Sequence, residues 1–164
     1  YGEVSSASIS CSRDDDKTVI VYVGGIAGAT YPKRALGATT ARCENHGAVK
    51  SLSDARFEKV GGILAEAFTT TVKMCINRGS VTSSSSAPEA GGVGETWIAG
   101  IVGYPAVATT IKGCTNSGNI TSNRTTSGNG MYMGGLVGQM PKNIKVILSQ
   151  QLRLLQEIKI SNLL

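Results

Sequence analysis

The sequence is poor in the side chains that carry chemistry. One histidine, four cysteines and eight aromatic residues are spread over 164 positions, and only 16% of the residues are charged. His46 alone, with no C-x-x-C pair, leaves a locally built zinc site without ligands. No G-x-S-x-G elbow occurs, and no acid, base and nucleophile assemble into catalytic spacing. The sequence therefore points to no catalytic residue, no metal and no cofactor. No apolar run reaches the roughly 18 residues of a membrane span. No charged-then-apolar signal segment opens the chain, and residue 1 is Tyr rather than Met. The net charge of +5 is not a patch: residues 1–138 carry 12 basic and 10 acidic side chains. Without a Lys/Arg stripe interleaved with aromatics, nucleic acid is not an expected partner.

What is abundant is glycine, and it is unevenly placed. All 21 glycines lie between Gly2 and Gly138. They belong to an internal repeat. Cys43-Glu-Asn45-His-Gly47-Ala-Val49-Lys-Ser51 returns as Cys75-Ile-Asn77-Arg-Gly79-Ser-Val81-Thr-Ser83 and as Cys114-Thr-Asn116-Ser-Gly118-Asn-Ile120-Thr-Ser122. The pattern C-x-N-x-G-x-[VI]-x-S fixes five positions in nine. A second motif alternates with it: Val23-Gly-Gly-Ile-Ala-Gly28, Val60-Gly-Gly-Ile-Leu-Ala65, Ile98-Ala-Gly-Ile-Val-Gly103 and Met133-Gly-Gly-Leu-Val-Gly138. A Thr pair precedes each of three cysteines, at Thr39-Thr40, Thr70-Thr71 and Thr109-Thr110. Gly2-Glu-Val4-Ser-Ser6 matches the second half of the first motif, so the chain is expected to start inside a repeat.

Each recurring column has a physical reading. Cys114, Asn116, Gly118 and Ile120 alternate, which places them on one face of an extended segment. The glycine marks a bend where backbone approaches closely or φ turns positive. Val19, Val21 and Val23 alternate into Gly24-Gly25, a strand entering a tight corner. Helix is excluded for most of residues 1–138, because each interior glycine costs about 1 kcal/mol. The expected fold is all-β: a repeat β-solenoid, parallel β-helix-like, of about four 35–38-residue units. A string of hairpins forming a sandwich or propeller is the alternative. The solenoid is favoured because equivalent Cys, Asn and Gly then form ladders. In such ladders Cys43, Cys75 and Cys114, with Cys11, are expected as free thiols acting as small hydrophobes.

The second motif resembles the GLUG repeat (Gly, Leu, a hydrophobic residue, Gly), with Gly135-Leu136-Val137-Gly138 as its nearest copy. The C-x-N-x-G-x-[VI] stretch looks like the companion segment of those repeats. The resemblance covers residues 1–138. It departs at Leu64-Ala65, where alanine replaces the last glycine, and in lacking the companion motif after Gly138. It implies an extracellular or cell-surface repeat module of a larger, adhesin-like bacterial protein, with further repeats as neighbours and a host or bacterial surface glycan or protein as partner.

Candidate site residues are few. Trp97 and Tyr104 flank the third glycine motif, as Tyr31 and Tyr132 flank others, and could stack on sugar rings. The alternative is corner packing, since aromatics bury large areas. Asp14-Asp15-Asp16 lacks the oxygen array of a calcium loop and reads as a solvated tip. His46 lies beside a turn, has no equivalent in the other repeats, and reads as a surface residue, since a catalytic role would need an oriented partner. The Thr pairs could form an outward ladder, or simply follow strand preference. Asn119-Ile-Thr121 and Asn123-Arg-Thr125 match glycosylation acceptors, relevant only in a eukaryotic secretory pathway. Residues 139–164 form a separate segment without Gly, Ala, Thr or Cys. Ile144, Leu148, Leu152 and Leu155 recur at helical spacing, so residues 143–159 are either a helix covering the open end of the stack or non-native sequence. The expected function is a non-enzymatic stalk or interaction surface. The alternative is a carbohydrate-binding module using aromatics near Trp97.

Overall fold

The computed structural model describes residues 4–6, 20–32, 37–53, 57–84, 95–122, 130–142 and 144–147. Among them are eighteen strands and no helix. The strands follow a cycle of five. After β1 (Val4–Ser6), the first coil runs β2 (Ile20–Gly24), β3 (Ala27–Thr30), β4 (Ala38–Ala41), β5 (Glu44–Asn45) and β6 (Val49–Ser51). The second repeats it as β7 (Phe57–Gly61), β8 (Leu64–Ala67), β9 (Thr70–Lys73), β10 (Ile76–Asn77) and β11 (Val81–Ser83). The third is β12 (Glu95–Ala99), β13 (Val102–Pro105), β14 (Thr110–Lys112), β15 (Thr115–Asn116) and β16 (Ile120–Ser122). β17 (Met131–Gly134) and β18 (Lys145–Ile147) extend the stack by part of a fourth.

Every strand pairs with its equivalent in the next coil, and every pairing is parallel. Five sheets result, in the orders β1-β6-β11-β16, β15-β10-β5, β17-β12-β7-β2, β13-β8-β3 and β18-β14-β9-β4. This is the parallel β-solenoid that the repeat columns predict. Even β1 obeys the motif, since Val4 faces Val49 and Ser6 faces Ser51.

The interior is built from the inward rows. Ile63, Leu64, Val72, Cys75, Ile101, Val102 and Ile111 form one cluster, and Val21, Val23, Val49, Val60, Val81 and Ile98 form another. Cys43, Cys75 and Cys114 stand in a column as unbridged thiols, the last two buried. The Cys75 thiol donates to the Lys73 carbonyl at 3.4 Å. Cys11 lies outside the described residues.

A second interior column is polar. Asn45 Nδ2 donates to Asn77 Oδ1 at 2.7 Å, and Asn77 Nδ2 to Asn116 Oδ1 at 2.8 Å. Each amide also donates to the carbonyl two residues on: Gly47, Gly79 and Gly118, at 2.9, 2.8 and 3.0 Å. The asparagines thus turn the chain between the fourth and fifth strands of a coil while linking one coil to the next. The glycine at this bend has no positive φ among the described residues. Close approach is what requires it: a Cβ on Gly79 would collide with the Gly47 carbonyl beneath it.

The same column explains the second glycine of the other motif. A Cβ on Gly25, Gly62 or Gly100 would run into the amide of Asn45, Asn77 or Asn116 respectively. Gly135, in the coil that has no such asparagine in its described part, has nothing within 4 Å. The glycine leaves the room that the asparagine of its own coil occupies.

Two further corners use left-handed backbone. Gly37, Thr69 and Ala108 precede the third strand with φ of 67, 46 and 53°, and Arg42, Met74 and Gly113 follow it with 55, 51 and 58°. Corner length is nearly constant except at two places. One is the connection after Ser51, Ser83 and Ser122, as the sequence suggests. The other lies between the second and third strands, spanning 31–37, 68–69 and 106–109 in successive coils.

Two expectations are corrected. The helix expected over 143–159 does not begin as such. Lys145–Ile147 form β18 on β14, because Val146 continues the inward row of Val72 and Ile111. Residues 148–159 lie outside the described residues. The Thr pairs do not form an outward ladder as pairs. Thr39, Thr71 and Thr110 form one row, while Thr70 and Thr109, the first members of two pairs that keep register, are 1% exposed, and Thr39-Thr40 is shifted by one to align with Thr71-Val72.

Two measurements test this packing. Gly62→Ala should lower stability by about 1–3 kcal/mol through overpacking against the Gly100 carbonyl and the Asn77 amide, whereas Gly135→Ala should be neutral or slightly stabilising; equal effects in urea unfolding would refute this close packing. Burial pushes the Cys75 thiol up to about 11 from its ordinary 9.0. Because the thiolate is the nucleophile, Cys75 should resist alkylation at about pH 8 until the chain unfolds. The folded state holds this proton longer than the unfolded one. Its share of stability is therefore full below pH 9.0 and is lost as pH rises through about 11, visible as a falling urea midpoint.

Candidate functional site

The outer faces of two sheets converge beside the glycine corner. Tyr22, Lys59, Trp97 and Tyr132 form one row across β2, β7, β12 and β17. Ala29, Glu66 and Tyr104 form another across β3, β8 and β13. The corner turns the second strand back so closely that a Cβ on Gly103 would meet the Val60 carbonyl. Small residues after the corner (Gly28, Ala65, Gly103) thereby bring the two rows into contact.

An ion pair lies where they meet. Lys59 Nζ is 2.9 Å from Glu66 Oε1, with the two side chains 9% and 6% exposed. The ammonium also lies over three rings, 4.4 Å from the Tyr104 centroid, 5.2 Å from Tyr22 and 5.5 Å from Trp97. Ring faces and carboxylate together replace the water that Lys59 has lost. The second Glu66 oxygen accepts a short hydrogen bond from the Tyr31 hydroxyl. Burial, and next the bond to Glu66, push the Tyr31 phenol far up, so it stays a neutral donor. Tyr22, 3.4 Å from the Tyr31 hydroxyl, is raised mainly by burial.

Trp97 is the centre of an aromatic column. Its ring lies near-parallel to Phe57 of the preceding coil, at 6.5 Å and 15°, and to Tyr132 of the following coil, at 5.9 Å and 10°. Tyr104 tilts against it at 5.0 Å, and its indole N–H donates to Gln139 Oε1 at 2.7 Å. At 7% exposure, with rings on either side and its donor used, Trp97 is a packing residue. Tyr104 is half-buried and faces a cleft of about 360 Å³. The cleft is walled by Tyr31, Phe68, Tyr104 and Val107, with the Glu66 carboxylate on its floor and exposed Lys142 also lining it. Tyr31 and Phe68 are exposed on it, their ring centroids 6.0 Å apart.

The structure thus brings Trp97, Tyr104, Tyr31 and Tyr132 together, and adds Lys59, Glu66 and Phe68, which the motif reading missed. Lys59 was legible as a column: it stands two residues before Gly61, where Tyr22 precedes Gly24 and Trp97 precedes Ala99. Glu66 carries no such signal, because its equivalents are Ala29 and Tyr104. His46 is exposed and lies 3.1 Å from Glu44, whose carboxyl is lowered chiefly by its hydrogen bond with Arg78. Asp14–Asp16 and Asn123 lie outside the described residues, and Asn119 is exposed. No family model, no curated protein and no solved structure matches the chain.

Removing one partner of a buried pair leaves the other charge uncompensated. Lys59→Met should therefore cost about 3–5 kcal/mol, and Lys59→Met with Glu66→Gln should recover most of that loss. Urea unfolding of the single and double variants measures both, and a single variant within error of wild type would refute the pair's role.

Proposed function

We propose that this chain is a non-enzymatic repeat module of a larger secreted or surface-anchored bacterial protein, serving as a stalk segment or an interaction surface. The observation that carries the reading is how the repeated positions are used. Asn45, Asn77 and Asn116, the glycines that leave them room and the thiol column all hold one coil on the next. None of these positions is left to face a substrate. Variation in length is confined to two corners, where binding loops on rigid scaffolds are usually found. The GLUG-like motif fits the same reading, because its residues are those that make the corner and leave room for the asparagine. A glycan or protein on a host or bacterial cell is the partner this implies, and coils of the parent protein would be its axial neighbours.

Beads coated with the purified chain should adhere to epithelial or bacterial cells, and beads coated with the unfolded chain should not. Equal adhesion would overturn the surface role. Hydrolysis or elimination of polysaccharide substrates by the pure chain would overturn the non-enzymatic reading.

A further inference from the structure

We infer that the cleft between Tyr31, Phe68, Tyr104 and Val107 is a binding subsite for a short saccharide chain lying along the stack. The inference rests on the reading of the chain as an interaction module and names where, and on what chemistry, it would act.

The cleft is continuous across coils. Tyr31 belongs to the first coil, Glu66 and Phe68 to the second, Tyr104 and Val107 to the third, and Lys142 to the fourth. Coils repeat at about 4.8 Å along the stack, close to the advance of one pyranose unit along an extended glycan. A ligand running parallel to the axis therefore passes Tyr31, Phe68 and Val107 of successive coils in turn. The wall is aromatic or apolar, suited to the C–H faces of pyranose rings. Tyr31 is 57% exposed, Phe68 37% and Val107 59%.

The floor supplies the polar half. Glu66 is 4% exposed yet lines the cleft. Lys59 and Tyr31 each occupy one direction at its oxygens. Tyr22 also hydrogen-bonds with Glu66; a carboxylate offers about four acceptor positions, which leaves about one for a sugar hydroxyl. The Lys59 contact fixes the rotamer of Glu66, and such preorganisation reduces the ordering cost of binding. Lys142 is exposed and also lines the cleft, which adds a donor side chain to it.

A peptide fits this cleft less well. Extended peptides gain affinity by adding a strand to an open sheet edge. The strands beneath this cleft are paired into the stack, β8 between β3 and β13, so a peptide would bind through side chains alone. The cleft also sits at one of the two corners whose length varies between coils, where sequence change leaves the ladders intact.

The test is saturation-transfer NMR of the full chain with cellotetraose, chitotetraose, mannotetraose and a β-1,3-linked glucotetraose, beside a pool of random decapeptides. At least one tetrasaccharide should show transfer. Phe68→Ala should weaken it about tenfold, as expected for loss of one stacking ring. Val107→Asp should weaken it as well, while Met74→Ala, at an exposed corner on the other side of β9, should leave it unchanged. Thermal unfolding of each variant separates loss of binding from loss of fold. No transfer from any sugar, transfer unaffected by Phe68→Ala and Val107→Asp, or a response to the peptide pool alone would each overturn the subsite. None of these outcomes touches the module reading, which fails separately if the chain cleaves a sugar.

Discussion

Everything in this fold depends on one constraint: a strand of any coil satisfies its backbone only through the equivalent strand of its neighbours. The coils contribute little pairing of their own, so each must present the same five directions at the same positions as the coil beneath it. That demand is severe for strands of two to five residues. A one-residue slip in any strand would turn its buried row to solvent. The asparagine column answers it at the point of greatest need. β5, β10 and β15 have two residues each, too few for a backbone ladder to fix register alone. The side-chain amides there bond both along the chain and across the coils, pinning the shortest sheet of the five.

Burying that column carries a penalty, and the sequence offsets it locally. A primary amide without partners in an apolar interior loses about 1–3 kcal/mol. Asn77 instead has its amide donors on the Gly79 carbonyl and Asn116, and its oxygen on Asn45. The geometry works only if the coil makes room, which it does by leaving a Cβ out at Gly62. Two motifs separated by fifteen residues in the chain are thus one device in space. The thiols beside it accept burial as small hydrophobes and make only weak contacts to carbonyls of their own coil and of the preceding one, as Cys75 does with Lys73 and Thr40.

This division governs what the sequence reveals. Positions that touch their own equivalents repeat, and repetition can be read without an alignment. The solenoid, its free-thiol column and its glycine corners were legible for that reason. Contacts between non-equivalent rows do not repeat. Lys59 meets Glu66 because β7 and β8 converge, and neither residue resembles its counterparts above and below. The Thr pairs mislead in the complementary way. They look like one repeated unit, yet only Thr70-Thr71 and Thr109-Thr110 keep register, while Thr39-Thr40 aligns with Thr71-Val72. The heptad-like spacing of Ile144 and Leu148 misleads because Val146 finds a place in an existing inward row, and a row already half built outweighs local periodicity.

The same division separates what this chain must keep from what it can change. A substitution in the asparagine, glycine or thiol columns is felt by two neighbouring coils at once, so those positions resist change. The corner that bears Tyr31, Phe68 and Val107 has a looser obligation: its coils are joined there by backbone bonds such as Phe68 N–H to the Thr30 carbonyl and Thr69 N–H to the Val107 carbonyl, which leave the side chains free to vary. The ion pair behind it couples the two regimes. Lys59 is held by three aromatic rings from the coils on either side of it, and through Glu66 it orients a carboxylate in the variable corner's cleft. A rigid column thereby sets the position of one polar group on a surface whose remaining walls are free to vary. That arrangement suits recognition better than bond-making: shape and apolar contact can change from corner to corner while one fixed acceptor keeps the orientation of whatever lies there.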